Sequence, residues 1–206
     1  GRYRRDDPQA GLKYARDVGA LADRLQADGR GLAAFLAETL PSVAGQVVLP
    51  PGYLAEAYRH VRAAGGVAIA DEVQTGFGRL GETFWGFEGQ GVVPDMVVLG
   101  KPMGNGFPLG AVVTTREIAA SFDNGMEFFS TFGGNPVACA AGLAVLDVLR
   151  DEGLQQRALE SGTNLLSVMR MMREEHRLIG DVRGSGLFLG VELVLDRASR
   201  TPAPAQ

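Results

Sequence analysis

The chain has 206 residues, 46% of them hydrophobic and 21% charged, with a formal net charge of −4. That balance suits one globular core or parts of two domains, and the lack of any basic run argues against a nucleic-acid partner. Cys139 is the single cysteine, which excludes an internal disulfide or a cysteine-built metal site. No apolar run reaches the roughly 18 residues of a membrane span, and no signal-peptide pattern is present, so the expected compartment is the cytoplasm.

Residues 9–28 place Leu12, Ala15, Val18, Leu21, Ala22 and Leu25 at helical spacing, with Gly29 as a stop. "GLAAFLAE" (31–38) reads as a short buried strand ending at Glu38. Pro41, Pro50, Pro51 and Gly52 punctuate a loop, and "YLAEAYRHVRAAGG" reads as a helix closing on Gly65-Gly66. "GVAIADEV", "DMVVLGK" (95–101) and "LGAVVTT" (109–115) follow as three more short strands, apolar on both faces. Apolar strands separated by helices or loops predict an α/β fold, a mostly parallel sheet with flanking helices. "TREIAASF" reads as a short helix, and Asn135-Pro136 supplies an N-cap and a first-turn proline for the next one. A longer helix over about 153–177 turns Leu154, Ala158, Leu165, Leu166, Met169 and Met172 inward, the methionines as core filler. "LIGDVRGSGLFLGVELV" reads as a glycine-rich entry into one strand. The change of pattern near 145–155 divides the chain into residues 1–148, part of a large sheet-bearing domain, and 149–206, the start of a smaller α+β domain. The opening "GRYRRDD", without Met, and the closing "RTPAPAQ" read as cuts in a longer protein.

The basic residues are 18 Arg and only two Lys. Lys13 lies on a polar helix face, whereas Lys101 ends an apolar strand. In parallel α/β sheets ligands bind outside the carboxyl ends of the strands. The first three strands end at Glu38, at Asp71 with Gln74 just beyond, and at Lys101. One reading is an internal ion pair, Asp71 with Lys101 or an arginine, because a buried carboxylate is costly alone. The other is chemical: a lysine in a mostly apolar site can be an unprotonated nucleophile suited to Schiff-base formation. Pyridoxal 5'-phosphate (PLP) requires such a lysine and an acid at its ring nitrogen. In that reading Asp71 keeps the nitrogen protonated, Gln74 donates to the ring hydroxyl and Val73 packs on the ring. Gly100 gives close access, and Pro102 keeps Lys101 out of helical conformation. Ser130 and Thr131, with Gly133-Gly134 before a helix, offer a phosphate contact or simply a capped turn.

"GFGRLG" (76–81) matches G-x-G-x-x-G, but "DEVQT" separates it from its strand and no helical period follows. A dinucleotide loop joins strand to helix directly. Asp95 falls near the spacing of a ribose-binding acid, yet it opens a strand behind Pro94. The glycines are expected to turn the chain away from the cofactor, toward a partner subunit.

"AFLAE", "GGVAIADEVQTGFGRLG", "VVLGKPMGNGFPLGAVV", "STFGGNPVACAAGLAVL" and "DVRGSGLFLGVEL", in that order, resemble the class III, fold-type I, PLP-dependent aminotransferases. Within that class, residues 84–122 and 125–149 and the late "RTPAPAQ" resemble the branch of phospho-lyases acting on ethanolamine phosphate or phosphohydroxylysine. The resemblance implies Lys101 as the aldimine-forming lysine and proton shuttle, Asp71 as the ring-nitrogen acid and Gln74 as the ring-oxygen contact. It implies Thr131 as a phosphate contact given across a homodimer interface. It also implies Arg183 as the substrate-carboxylate arginine, with Glu38 as the acid that pairs with it and screens it. The family's upstream phosphate cup and ring-stacking aromatic have no counterpart here, so the piece alone is expected to be inactive and to bind cofactor poorly. The expected substrate is a small amine or amino acid, handled by transamination or by phosphate elimination; a truncated, non-catalytic scaffold is the remaining alternative.

Overall fold

The computed structural model describes residues 2–4 and 6–204. Helix α1 (Ala10–Ala27) is followed by β1 (Ala34–Glu38), α2 (Tyr53–Ala63), β2 (Val67–Asp71), β3 (Met96–Leu99) and β4 (Ala111–Thr114). The four strands form one sheet in the order β1-β2-β3-β4, parallel except for antiparallel β4. The α/β, mostly parallel sheet expected from the apolar runs is what forms.

Ala68 and Ala70 of β2 are fully buried, and their small side chains let α2 lie close on the sheet. Leu54, Tyr58 and Ala68 make the centre of this core, with Phe35, Leu49, Tyr53 and Val92 around it. Helix α1 packs on α2 through Gly11, Ala15, Gly19 and Ala22, while Leu12 and Leu21 stay 42% and 56% exposed. These leucines are flank residues: small side chains line the contact, and Gly19 lies against the His60 ring. Asp95 is engaged structurally. Its carboxylate binds the Arg62 guanidinium and accepts the Ala68 amide at 2.7 Å, tying α2 to the start of β3.

The rest of the chain contains α3 (Arg116–Phe122), α4 (Pro136–Asp151), α5 (Leu154–Glu175), β5 (Ile179–Ser185), β6 (Phe188–Asp196) and β7 (Thr201–Pro202). Asn135 caps α4 as expected, accepting the Ala138 amide at 2.9 Å, with Pro136 in the first turn. Gly153, at φ 60°, separates α4 from α5. The segment 178–194 is a hairpin rather than one strand: β5 and β6 pair antiparallel up to Ser185–Phe188. Gly186 has φ 52°, which a two-residue hairpin loop demands of its first residue. Helix α5 buries Ala158, Gly162 and Leu166, with Gly162 against Gly186 of the hairpin and Leu166, beside half-buried Met169, against Ile179 and Val182. Leu165 and Met172, expected inward, are 41% and 44% exposed, one position off that stripe. Apolar surface is also open on the outer strands, at Leu36, Val112 and Val113, and along 126–132 at Met126, Phe128, Phe129 and Phe132.

Candidate active site

The parallel register sets Glu38 beside Asp71 and Asp71 beside Val98, and Lys101 stands two residues beyond the end of β3. The sheet therefore delivers two carboxylates and an amine to one edge, the carboxyl edge of its parallel strands. Asp71 accepts the Val73 amide at 2.9 Å, a short turn in which the side chain replaces a ladder partner at the strand end. Val73 then reaches across to the lysine strand: a Cβ built on Gly100 would lie 3.5 Å from both Val73 methyls. Among the described residues, no salt bridge joins Asp71 or Lys101 to any partner, so the internal ion pair does not form. No cluster of potential metal ligands occurs among them either.

Lys101 is exposed and sits at φ 26°, opening a single 3₁₀ turn with Pro102 next to it. Positive φ is unfavourable for a side chain with a Cβ and costs about 1–3 kcal/mol, a strain that folds hold at working sites. An open concavity of about 390 Å³ is lined by Lys101, Gly106, Phe107, Pro108 and Leu109. Gln74 is half-buried in the turn after Asp71. Thr131 is exposed ahead of α4, and no hydrogen bond of the described residues ties it to Asp71, Gln74 or Lys101. Neighbouring Ser130 serves the turn, accepting the Gly133 amide at 3.0 Å.

Glu38 and Arg183 are not brought together. Glu38 accepts the Ser42 amide at 2.9 Å and the Ser42 hydroxyl at 2.6 Å. The Arg183 side chain, 14% exposed, donates to the carbonyls of Gly45 and Gln46, binds Asp181 at 2.9 Å and lies 3.7 Å from Glu192. Each side chain fastens one loop: Glu38 holds the start of 42–46 and Arg183 its end. A guanidinium has five donors, and neighbouring backbone carbonyls on a tight loop saturate them where a single distant carboxylate would not.

The "GFGRLG" loop lies against the C-terminal part of its own chain. Gly78 and Gly81 have φ 75° and 78°, and a Cβ on Gly81 would stand 2.6 Å from the Leu159 Cα in α5. The hairpin turn closes the same seam, with the Leu187 amide donating to the Arg79 carbonyl at 3.0 Å and the Ser185 hydroxyl to the Leu80 carbonyl at 3.1 Å. Its glycines are thereby explained by close packing, without a nucleotide.

One acid escaped the reading of the sequence. Glu72 is fully buried directly behind Asp71, its carboxylate caged by Thr39, Thr75 and two backbone amides. The available signal was a charged residue set inside an apolar strand sequence, where burial without partners is costly.

Comparison with known proteins shows the family. The sequence model of the family "Aminotransferase class-III" matches residues 3–203. The chain is 52% identical over 197 residues to an alanine–glyoxylate aminotransferase 2-like protein of Drosophila melanogaster, covering 95% of this chain and 40% of that protein. It is 51% identical to the human mitochondrial alanine–glyoxylate aminotransferase 2, covering 86% and 34%. Among solved structures, a phospholyase from Arthrobacter in complex with phosphoethanolamine superposes with a TM-score of 0.91 at 43% identity, covering 97% of this chain and 48% of that one. A taurine:2-oxoglutarate aminotransferase from Bifidobacterium kashiwanohense, in complex with PLP and glutamate, gives 0.86 at 29% identity, covering 97% and 45%. The chain therefore spans less than half the length of these relatives.

Proposed function

Because the chain belongs to the class-III aminotransferase family, we propose that it is the lysine-bearing portion of a PLP-dependent enzyme acting on an amine or amino acid. The observation that carries this is the edge itself: an acid on β2 and a strained lysine after β3, bridged by Val73 against Gly100. The donor set fits PLP in kind, since it pairs an amine that can bond an aldehyde carbon with a carboxylate that can hold a ring N–H. When bound, PLP would supply an aldehyde carbon that bonds the Lys101 amine with loss of water and then exchanges it for the substrate amine with release of the lysine, and a ring that would accept the electron pair left when the α-proton departs.

The chain's own residues supply the rest. Asp71 holds the proton at the ring nitrogen, with one oxygen fixed by the Val73 amide. Gln74 donates to the ring oxygen, and Val73 packs on the ring. The Lys101 amine, once displaced by substrate, takes the α-proton and returns it. Thr131, exposed in its turn, contributes to the phosphate site of a second subunit in a homodimer. No described helix is long and apolar enough to cross a membrane. The cytoplasmic compartment is proposed alongside this reading, whereas three relatives carry a mitochondrial name.

The phospholyase neighbour supports a second outcome, elimination of phosphate from ethanolamine phosphate or a phosphorylated amino acid. Incubating the full-length protein with PLP tests the enzyme reading. Visible absorbance that disappears in Lys101→Ala is expected; absence of any in the wild type leaves only a non-catalytic scaffold. Adding ethanolamine phosphate then separates the outcomes. Phosphate released without an amino acceptor means elimination, and dependence on a 2-oxo acid means transamination.

A further inference from the structure

Glu72 has no part in the chemistry just described, yet it is the most enclosed charged residue of the site, with no exposed surface. The backbone ladder runs one residue past β2, the Glu72 amide donating to the Val98 carbonyl at 3.0 Å. Successive side chains on an extended backbone point to opposite sides. Asp71 can therefore serve the open edge while Glu72 enters the protein behind it. There one carboxylate oxygen accepts the Thr39 hydroxyl at 3.0 Å and the Phe87 amide at 2.9 Å. The other accepts the Thr75 hydroxyl at 2.6 Å and the Gly86 amide at 2.9 Å. The two hydroxyls also touch each other at 2.9 Å, so two protons serve three oxygen contacts. Among the described residues no cation forms a salt bridge with Glu72. The charge is compensated by fixed amides and hydroxyls alone, an arrangement only an acceptor of this shape satisfies.

The cage joins three pieces of chain: the residue after β1, the turn after β2 and the 3₁₀ segment at 86–90. The Glu72 carbonyl adds a fourth tie, accepting the Gly76 amide at 3.0 Å and closing the turn that carries Val73 and Gln74. We propose that Glu72 is a positioning residue, the buried anchor that fixes the Asp71–Gln74 turn so that Asp71 and Gln74 are presented to the cofactor ring from a rigid base. This rests on the PLP reading above. A side chain locked from behind cannot yield when the ring nitrogen changes charge, which is the form of support that cofactor-contacting groups need.

The test uses full-length protein, with PLP as the probe. Glu72→Gln keeps the shape but sets an amide N–H₂ against amides that also donate. The expected result is PLP affinity lower by about 10-fold or more, the scale of effect that supporting partners have at metal sites. The pH midpoint of the bound cofactor's colour change should also move, because that midpoint senses Asp71. Thr39→Val/Thr75→Val removes two donors without altering Glu72; it should show smaller changes in the same direction and carries the test if Glu72→Gln does not fold. A lower melting temperature of the apo protein with unchanged PLP affinity and unchanged pH midpoint overturns the proposal, because a merely structural role predicts that pattern. Wild-type protein that binds no PLP overturns the enzyme reading and this inference together. Wild-type binding with unaltered variants overturns this inference alone.

Discussion

Arg183→Ala separates two roles for one side chain. If Arg183 binds substrate carboxylate, its removal harms only substrates that carry one. If it fastens the 42–46 loop, its removal harms the fold. Its Nε donates to the Gly45 carbonyl at 2.9 Å and to the Gln46 carbonyl at 3.2 Å, and Nη1 binds Asp181 at 2.9 Å, all at 14% side-chain exposure. A hydrogen bond from a charged donor contributes about 1.5–3 kcal/mol. These contacts share one group and do not add fully, so a loss of about 3 kcal/mol is expected. Urea denaturation of the full-length apo protein reads it, alongside KM for an α-amino acid and for an amine without a carboxylate. We expect the stability loss and a KM change by the same factor for both substrates. Arg183→Lys should recover less than half of the loss, since an ammonium cannot bridge carbonyls and carboxylate as a planar fork does. Stability within about 0.5 kcal/mol of wild type, with a KM rise confined to the carboxylate substrate, refutes the fastening role.

Asp71→Asn should lower kcat by about 100-fold or more while visible absorbance still reports bound PLP, because an amide cannot hold the ring proton against the same charge. Tyr58 is 1% exposed, and burial first, then the negative charge of Glu72, push its hydroxyl up to about 12 from 10.0. Between those values the unfolded chain has released a proton that the folded one retains, so stability is full below pH 10 and falls as pH rises toward about 12, by about 1.4 kcal/mol per pH unit. Tyr58→Phe should abolish that alkaline slope in melting experiments. At neutral pH it should cost less than about 1 kcal/mol, because the hydroxyl has no hydrogen-bond partner among the described residues. Gly81→Ala should destabilise by about 2–3 kcal/mol in the same denaturation assay, combining a φ of 78° with a 2.6 Å approach to the Leu159 backbone.

The features legible in the sequence are those that local physics controls. Four apolar runs bounded by Gly, Pro and charge read as short strands of one sheet, and ladder geometry then aligned Glu38 with Asp71. Asn135-Pro136 predicted its helix start because a cap satisfies amides within three residues. The misses share a different cause, since each depends on a partner far along the chain. Arg183 reaches carbonyls more than 130 residues earlier, and nothing in "VRGSG" encodes them. The inward face of α5 is set by where the hairpin lies, so a stripe with Gly162 at its centre displaced the larger Leu165 and Met172. "GFGRLG" carries the glycines of a nucleotide loop because close packing against a helix makes the same demand on a backbone as close approach to a phosphate. Asp71 and Glu72 make the point most sharply. Adjacent carboxylates at a strand end look alike in sequence, and alternation requires only that they part. Which one faces the ligand edge is decided by the Thr39, Thr75, Gly86 and Phe87 donors, gathered from three separate segments behind the sheet. A buried acid caged by neutral donors next to an open-edge acid is therefore a sign, readable only in three dimensions, of a site whose exposed carboxylate has been given a fixed support.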